Sequence, residues 1–266
     1  MENKFIILGA GRPYRGDEHS ALCNTSDSIR VLDWTLQSTK NINPEYYFIT
    51  GYQADKIEGR YLEFNYLYNP LWESTKAGWS LLLGLDSIND HACYVSYSDI
   101  LFHQNTIEKF GKSVGFDVEI AVDSHWRTRY TGRSETDLKQ SEKVCVAEDT
   151  VTLLGSTIPV DIAHAEFIGL VHFSTRAVKQ LKDMYRDQSK RQFLQKASLS
   201  DLIEFLRLTG LSIKAIDVLG DWAQLNEPAD LARFVLGTKA QTLYRLRGMV
   251  KKSVIEDQVS FTTADW

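Results

Sequence analysis

The sequence predicts an α/β protein built on a doubly wound, mostly parallel sheet. Short apolar and β-branched segments alternate with segments whose apolar residues recur at helical spacing, which is the pattern of strands joined by crossover helices. A glycine-rich loop at residues 9–16 follows the first strand, and Asp99 ends the fourth. Because ligands of such folds bind beyond the carboxyl ends of the strands, we expect both features in one crevice.

The first half of the chain contains four predicted strands separated by helices. The strands are short apolar runs that stop at glycine, Asn-Pro or aspartate, and the helices have apolar residues on one side. We expect Ser74 to cap the third helix. The predicted strands are 5–8, 45–50, 64–68 and 93–97, and the predicted helices are 30–37, 53–58 and 74–85.

The second half begins with strands and ends with helices. Two strands are expected to pair around the acidic turn Glu148-Asp149, and Gly210 is expected to stop a helix. Asn226 is a candidate cap for a later helix. The predicted strands are 117–123, 143–147, 150–154, 166–173 and 213–218, the helices are 175–187, 199–208, 228–236 and 238–252, and residues 253–261 are predicted to be extended.

Composition limits the classes of partner. A chain of 266 residues that is 43% hydrophobic can bury the core of one large domain. The net charge of −5 gives no general attraction to nucleic acid, so a small ligand is expected. Three widely separated cysteines predict reduced thiols and no zinc site, and no apolar run approaches the roughly 18 residues of a membrane span. We therefore expect no membrane association and a cytoplasmic location.

The glycine-rich loop is a candidate anion site. Gly9, Gly11 and Gly16 let backbone N–H groups approach a phosphate closely, because glycine has no Cβ and tolerates positive φ. The spacing matches neither a Walker A loop nor the G-x-G-x-x-G motif. A tight turn between a strand and a helix explains the same residues without a ligand.

Three arginines, Arg127, Arg129 and Arg133, lie within seven residues after the predicted strand 117–123. Arginine binds phosphate oxygens in a bidentate way, so the cluster is a candidate anion clamp in an otherwise acidic chain. A solvated surface loop is the alternative. Asp123, at the end of that strand, is a candidate either for the site or for a loop cap.

The glycine loop resembles the L-A-A-G-x-G-x-R signature of sugar-nucleotide-type nucleotidyltransferases. Four later segments match motifs of that superfamily in the same order, and one of them, Glu166 to Leu170, resembles the E-F-I-G-I strand of its cytidylyltransferase branch. The five segments are Leu8 to Arg15, Asn69-Pro70 with Thr75 and Ser80, Val95 to Phe102, Glu166 to Leu170, and Trp222 to Leu231.

The resemblance implies the nucleotidyltransferase fold and a set of site residues. Arg15 and Asp99 are the implied catalytic residues, and Asp99 with Asn226 would hold Mg²⁺, although the superfamily has aspartate where this chain has Asn226. The implied nucleotide-binding residues are Leu8, Gly9, Ala10, Gly11, Arg12, Arg15 and Ser80. The implied acceptor-binding residues are Asp123, Arg127, Arg129, Arg133 and Glu166, where Glu166 would recognise an amino group or else be satisfied by local hydrogen bonds.

Two lysines that the resemblance implies are missing, one of the superfamily and one of its cytidylyltransferases that act on phosphonates. Ser20 and Ser156 stand where lysines that contact the phosphates are expected. Arg15 is retained, and Lys76, Lys143 and the arginine cluster are the candidates for replacing the lost charge. An altered or inactive enzyme is the alternative.

The resemblance implies transfer of CMP from CTP to a small phosphonate or phosphate, of the aminoethylphosphonate, phosphocholine or phosphoglutamine type, with release of pyrophosphate. A sugar-1-phosphate nucleotidyltransferase that uses UTP or dTTP, and a non-catalytic nucleotide-binding domain, are the alternatives. The match covers residues 1–237. Residues 238–266 form a predicted helix-plus-strand appendage, either the arm of a homodimer or a junction to another domain.

Overall fold

The computed structural model describes residues 3–13, 16–26, 29–130, 134–225 and 234. The described part contains thirteen strands and eight α-helices. The strands are β1 (Lys4–Leu8), β2 (Asn24–Ser26), β3 (Ile29–Arg30), β4 (Glu45–Thr50), β5 (Asn65–Tyr68), β6 (Cys93–Tyr97), β7 (Ile100–Phe102), β8 (Val118–Asp123), β9 (Lys143–Ala147), β10 (Thr150–Gly155), β11 (Ala165–Phe173), β12 (Ile213–Asp217) and β13 (Trp222–Gln224). The helices are α1 (Val31–Thr39), α2 (Ala54–Glu58), α3 (Ala77–Ser87), α4 (Gln104–Ile107), α5 (Glu135–Gln140), α6 (Thr175–Arg186), α7 (Arg191–Lys196) and α8 (Leu199–Leu208).

A mixed sheet of nine strands forms the centre of the molecule, in the order β5-β4-β1-β6-β11-β8-β12-β10-β9. The strands from β5 to β6 pair in parallel, whereas pairing beyond β6 is antiparallel except between β8 and β12. The predicted α/β fold with a central sheet is confirmed, and the sheet is mixed rather than mostly parallel. Its parallel part is the half that contains β1, the strand before the glycine loop.

The antiparallel half of the sheet curls back on itself. β9 pairs with β10 and also with β11, so β8, β9, β10, β11 and β12 form a closed circuit of pairings. Glu166 on β11 therefore lies opposite Asp123 on one side and Lys143 on the other. Three charged residues from distant parts of the chain become neighbours in this way.

Strand β1 is buried on both faces, which is the signature of a doubly wound sheet. Ile6 and Leu8 pack into the core that contains Leu81 and Leu85 of α3. Phe5 and Ile7 pack into the opposite core, with residues of α1 and α2. Burying each such side chain contributes about 1.5–3 kcal/mol, so β1 is anchored firmly where the glycine loop begins.

Most predicted elements are confirmed, and the differences have local causes. Helix α3 begins at Ala77 and not at Ser74, because Ser74 lies in a turn in which its hydroxyl donates to the carbonyl of Leu71. Lys76 has an extended backbone and occupies the N-cap position. The predicted pairing of β9 with β10 and the helix stop at Gly210, whose φ is +91°, are confirmed.

The sequence reading missed several short elements. Strands β7 and β13 have three residues each, and they pair with Trp222 opposite Phe102 and Gln224 opposite Ile100. Helices α4, α5 and α7 have four to six residues, too few to show a helical period. The elements predicted from residue 228 onwards lie outside the described residues, apart from Phe234, whose ring packs against Trp34.

Candidate active site

Two cavities adjoin beyond the carboxyl ends of β1 and β6. We name them the glycine-loop cavity, of about 380 Å³, lined by residues 8–13 and the start of α3, and the acidic cavity, of about 490 Å³, lined by five carboxylate side chains. Of the residues that the structure describes, six line both cavities. They are Arg12, Lys76, Tyr97, Asp99, Ser198 and Gln224.

The glycine-loop cavity brings together the described residues that were predicted to bind a nucleotide. Leu8, Gly9, Ala10, Gly11, Arg12 and Ser80 all line it, together with Asp99, the predicted catalytic residue. Asn69 links two other residues of its predicted motif. Its side-chain amide nitrogen donates to Thr75 Oγ1 at 3.1 Å and to Ser80 Oγ at 3.2 Å. Arg15 lies outside the described residues, so its catalytic role stays a prediction.

The two glycines at the centre of the loop have different reasons to be glycine. A Cβ on Gly9 would come within 2.3 Å of the buried ring of Phe48, so packing excludes a side chain there. A Cβ on Gly11 would meet nothing within 4 Å. Gly11 therefore leaves backbone open toward the cavity, where an anion can approach it closely.

The side chain of His19 connects the two ends of the glycine-rich loop, a role that was not predicted from the sequence. Its Nδ1 accepts from the backbone N–H of Ala21 at 3.1 Å, which leaves Nε2 as the donor to the carbonyl of Gly9 at 2.7 Å. The ring is thus neutral, and burial lowers the pKa of His19 below its usual value. A single side chain fixes both ends of the turn.

Asp99 lies where the two cavities meet, in the turn between β6 and β7. The side-chain amide of Gln224 donates to Asp99 Oδ2 at 3.0 Å, and the N–H of Leu225 donates to the Asp99 carbonyl at 2.9 Å. Burial raises the pKa of Asp99 above its usual value. The short ladder of β7 and β13 therefore positions the aspartate.

The donor set fits a hard divalent cation. Mg²⁺ usually takes one or two protein oxygens and completes its shell with phosphates and water, and Asp99 offers such an oxygen at the cavity junction. Among the described residues, no cluster of three or more His, Cys, Asp and Glu side chains could hold a metal. The second predicted ligand, Asn226, lies outside the described residues.

The acidic cavity is named for its lining carboxylates. Tyr97 Oη donates to Glu142 Oε2 at 2.9 Å, and the Ser200 hydroxyl donates to the other oxygen. Burial raises the pKa of Glu142. The lining carboxylates are Asp99, Asp137, Glu142, Glu166 and Asp201, whereas Arg12 and Lys76 are the cationic residues among the described lining.

Glu166, the predicted acceptor-binding residue, lines this cavity, and protein groups satisfy its carboxylate. Arg129 donates to it from Nη1 at 3.0 Å and Tyr130 from its hydroxyl at 2.5 Å. Burial raises the pKa of Glu166 to about 7, against the opposing attraction of Arg129. Glu166 is therefore part of a buried charge network in the cavity wall.

The other predicted acceptor residues lie behind that wall and not in it. Arg127 donates to the carbonyls of Val160 and Ala163 at 2.7 and 2.8 Å, and the guanidinium of Arg129 stacks 3.8 Å from the ring of Trp222. The buried Asp123 accepts from Trp222 Nε1 at 2.8 Å. Arg127 and Arg129 therefore form no clamp open to either cavity, and Arg133 lies outside the described residues.

The serines at the positions of the missing lysines do face the cavities. Ser20 lines the glycine-loop cavity and Ser156 lines the acidic cavity. Lys143 does not replace them, because its ammonium is buried and donates to the carbonyls of Lys139 and Ser141 at 2.8 and 2.9 Å. Burial lowers the pKa of Lys143.

The chain is similar to solved nucleotidyltransferases over almost its whole length. The inositol-1-phosphate CTP transferase from T. maritima has a TM-score of 0.66 and 19% identity, over 95% of this chain and 98% of that one. A putative glucose-1-phosphate thymidylyltransferase from Bacillus anthracis has a TM-score of 0.67 and 13% identity, over 88% and 94%. The CTP:phosphocholine cytidylyltransferase from Streptococcus pneumoniae has a TM-score of 0.62 and 13% identity, over 88% and 97%.

These likenesses show that the chain has the nucleotidyltransferase fold, as the sequence resemblance predicted. No protein-family model matches the chain, and no curated protein sequence matches it. In the described residues, none of the helices has the length and apolar character needed to cross a membrane.

Proposed function

We propose that this protein is a cytidylyltransferase that moves CMP from CTP to a small phosphate or phosphonate acceptor carrying a positively charged nitrogen, and releases pyrophosphate. The observation that carries the proposal is the meeting of two cavities at Asp99: one cavity opens onto a glycine loop and the other is lined by carboxylates. One is suited to a triphosphate and the other to the acceptor.

The reaction needs a nucleophilic oxygen, the α-phosphorus of CTP and positive charge around the phosphates. An ionised oxygen of the acceptor attacks the α-phosphorus of CTP in line, a P–O bond forms, and the bond to the bridging oxygen breaks as pyrophosphate leaves with the electron pair. An ionised oxygen carries no proton, so no general base is required. Mg²⁺ held by Asp99 and Asn226 would supply positive charge between the phosphates.

Positioning is the main task of the chain itself. The backbone of residues 9–11 and the guanidinium of Arg12 would hold the triphosphate, while Gln224 keeps Asp99 directed at the junction. Arg12 is itself oriented, because its guanidinium lies 4.8 Å from the ring centroid of Tyr52 and 5.6 Å from that of Trp72.

The acidic cavity favours a cationic acceptor. Asp137, Glu142 and Asp201 surround the space beyond Asp99, and a neutral sugar ring gains less from such a field than an ammonium does. Phosphocholine, aminoethylphosphonate and phosphoglutamine each carry a positive nitrogen beside an anionic group. CTP as donor is supported by the cytidylyl-transferring relatives from T. maritima and Streptococcus pneumoniae.

The test is pyrophosphate release with Mg²⁺ for CTP, UTP, ATP, GTP and dTTP, each with those three acceptors, inositol 1-phosphate and glucose 1-phosphate. We expect turnover with CTP and one nitrogen-bearing acceptor. Turnover confined to UTP or dTTP with glucose 1-phosphate would replace the proposal by a sugar-1-phosphate nucleotidyltransferase. Nucleotide binding without turnover on any acceptor would contradict catalysis and favour a binding domain.

A further inference from the structure

The proposed reaction brings two anions together, yet the chain has serine at both positions where its superfamily resemblance implies phosphate-binding lysines. Ser20 and Ser156 both line the cavities, so the cavities lack the positive charge that two lysines would supply. Juxtaposed phosphates repel each other strongly in a partly desolvated site, and preorganised cations normally offset that repulsion. Another residue of this chain is needed for the task.

The contacts described above remove most candidates. Lys143 is buried and bound to two carbonyls, Arg127 is bound to two others, and Arg129 is paired with Glu166. Arg12 stacks on two aromatic rings at the wall of the glycine-loop cavity. Arg12 is already assigned to the triphosphate, so Lys76 is the further cationic residue that lines both cavities among the described residues.

Lys76 lies at the junction of the two cavities and lines both. Its backbone is fixed, because its N–H donates to the carbonyl of Gln195 at 3.0 Å and its own carbonyl accepts from Trp79 at 3.1 Å. Its side chain is exposed, and within the described part of the chain its ammonium makes no hydrogen bond or ion pair. A lysine with a fixed backbone and an unbonded ammonium is suited to contact a ligand.

The electrostatics at this point also favour an anion. Lys76 is the N-cap of α3, and the first turn of that eleven-residue helix carries no acidic side chain. A lysine at the positive end of a helix dipole is unfavourable in the absence of an anion. The positive charge of Lys76 and of the helix end therefore lies at the junction of the two cavities, which Asp99 also lines and where the phosphates of donor and acceptor would meet.

We propose that Lys76 is a catalytic residue that contacts the phosphates at the cavity junction and replaces the lysines absent at Ser20 and Ser156. The inference rests on the proposed nucleotidyl transfer. Lys76 stabilises the negative charge that shifts onto the leaving pyrophosphate, so its contribution is larger in the transition state than in the bound substrates.

The experiment compares Lys76→Ala, Lys76→Arg and Lys56→Ala with the wild type in steady-state pyrophosphate release. Lys56 is an exposed lysine of α2 that lines neither cavity. We expect kcat/KM to fall about 100-fold in Lys76→Ala, mostly through kcat, to fall less in Lys76→Arg, and to stay unchanged in Lys56→Ala. An active wild type with Lys76→Ala within twofold of it overturns the inference and leaves the proposed function standing.

A relocated lysine separates a charge effect from a structural one. Ser20→Lys in the Lys76→Ala background returns a cation to the glycine-loop cavity, and we expect it to recover at least tenfold of the lost rate. No recovery, together with a lowered melting temperature of Lys76→Ala, would assign Lys76 a structural role and overturn the inference.

Binding of inorganic pyrophosphate distinguishes failure of this inference from failure of the proposed function. If the wild type shows no turnover, the proposed function fails, and calorimetry still tests Lys76 alone. We expect pyrophosphate affinity about tenfold lower in Lys76→Ala than in the wild type and Lys56→Ala, with a weaker dependence on salt. Equal affinities of all three proteins overturn the inference.

Discussion

The two adjoining cavities are built in opposite ways. The glycine-loop cavity is lined by the loop that follows the buried strand β1 and by residues from the start of α3 and the end of β6. The acidic cavity is lined by carboxylate side chains from separate elements, which are Asp99 after β6, Asp137 on α5, Glu142 before β9, Glu166 on β11 and Asp201 on α8. A backbone cradle binds any phosphate, whereas an assembly of side chains can select an acceptor.

The two cavities are also constrained by different kinds of interaction. In the glycine-loop cavity the constraint is steric, since Gly9 touches the ring of Phe48. In the acidic cavity it is electrostatic, since Glu166 remains buried only with Arg129 and Tyr130 as partners. Substitutions in the two cavities should therefore disturb the protein in different ways, by steric overlap in one and by unpaired charge in the other.

The largest effect is expected at Asp99, which both cavities share. Asp99→Asn keeps the shape and an oxygen that can accept from Gln224, but it removes the negative charge. Pyrophosphate release should fall about 1,000-fold, or about 4 kcal/mol in transition-state stabilisation, because the cation loses its charged ligand. The measurement is kcat/KM across a Mg²⁺ titration.

The control is thermal unfolding of Asp99→Asn, which should match that of the wild type. Retention of more than a tenth of the activity would show that the junction of the cavities is not the reaction centre.

A smaller effect, on stability, is expected from breaking the buried pair in the acidic cavity. Arg129→Met leaves the Glu166 carboxylate without its cation and should lower the free energy of unfolding by about 3 kcal/mol. Because burial raises the pKa of Glu166, the native carboxyl stays protonated to a higher pH than the unfolded one. Removing Arg129 raises the pKa of Glu166 above its wild-type value of about 7, so the loss relative to the wild type should grow as the pH rises above about 7.

Denaturant unfolding between pH 5 and 8 measures this loss. The double variant Arg129→Met/Glu166→Gln should be more stable at pH 8 than Arg129→Met alone, because no unpaired charge remains. Equal losses at all values of pH, with no gain in the double variant, would mean that packing of Arg129 on Trp222 and not the ion pair matters.

In the glycine-loop cavity, Gly9→Ala and Gly11→Ala form a matched pair. Gly9→Ala should lower stability by about 2 kcal/mol, because the Phe48 ring must move within a close-packed core. Gly11→Ala meets no neighbour and should fold normally, yet it should weaken nucleotide binding, since its methyl group occupies space that a phosphate would use. Denaturant unfolding and CTP calorimetry measure the two effects.

A Gly11→Ala variant that binds CTP as tightly as the wild type would show that the phosphates do not contact this backbone. A Gly9→Ala variant as stable as the wild type would show that the Phe48 ring moves easily.

The glycine-loop cavity could be predicted from the sequence more fully than the acidic one. Gly9, Gly11 and Asp99 stand at the ends of strands that are recognisable from local apolar runs, so their convergence follows from the fold class. The positions of Arg127, Arg129 and Asp123 depend instead on Val160, Trp222 and Glu166, which are distant in sequence. Local patterns do not show which charges become paired.

The smallest effect is expected from the pH response of the glycine loop, and its sign is opposite to that of the acidic cavity. Burial lowers the pKa of His19, so the native ring binds fewer protons than the unfolded one, whose pKa is about 6.5. Its contribution is therefore complete above about pH 6.5 and decreases as the pH falls below that value, by at most about 1.4 kcal/mol per pH unit.

His19→Gln removes this titration, because glutamine does not ionise and its amide can still donate to the Gly9 carbonyl. Unfolding free energies from pH 7 to 5 should decline less steeply in His19→Gln than in the wild type. His91→Gln, at an exposed position, should decline as the wild type does. If all three proteins have the same slope, protonation of His19 does not open the loop, and the glycine-loop cavity is constrained by packing alone.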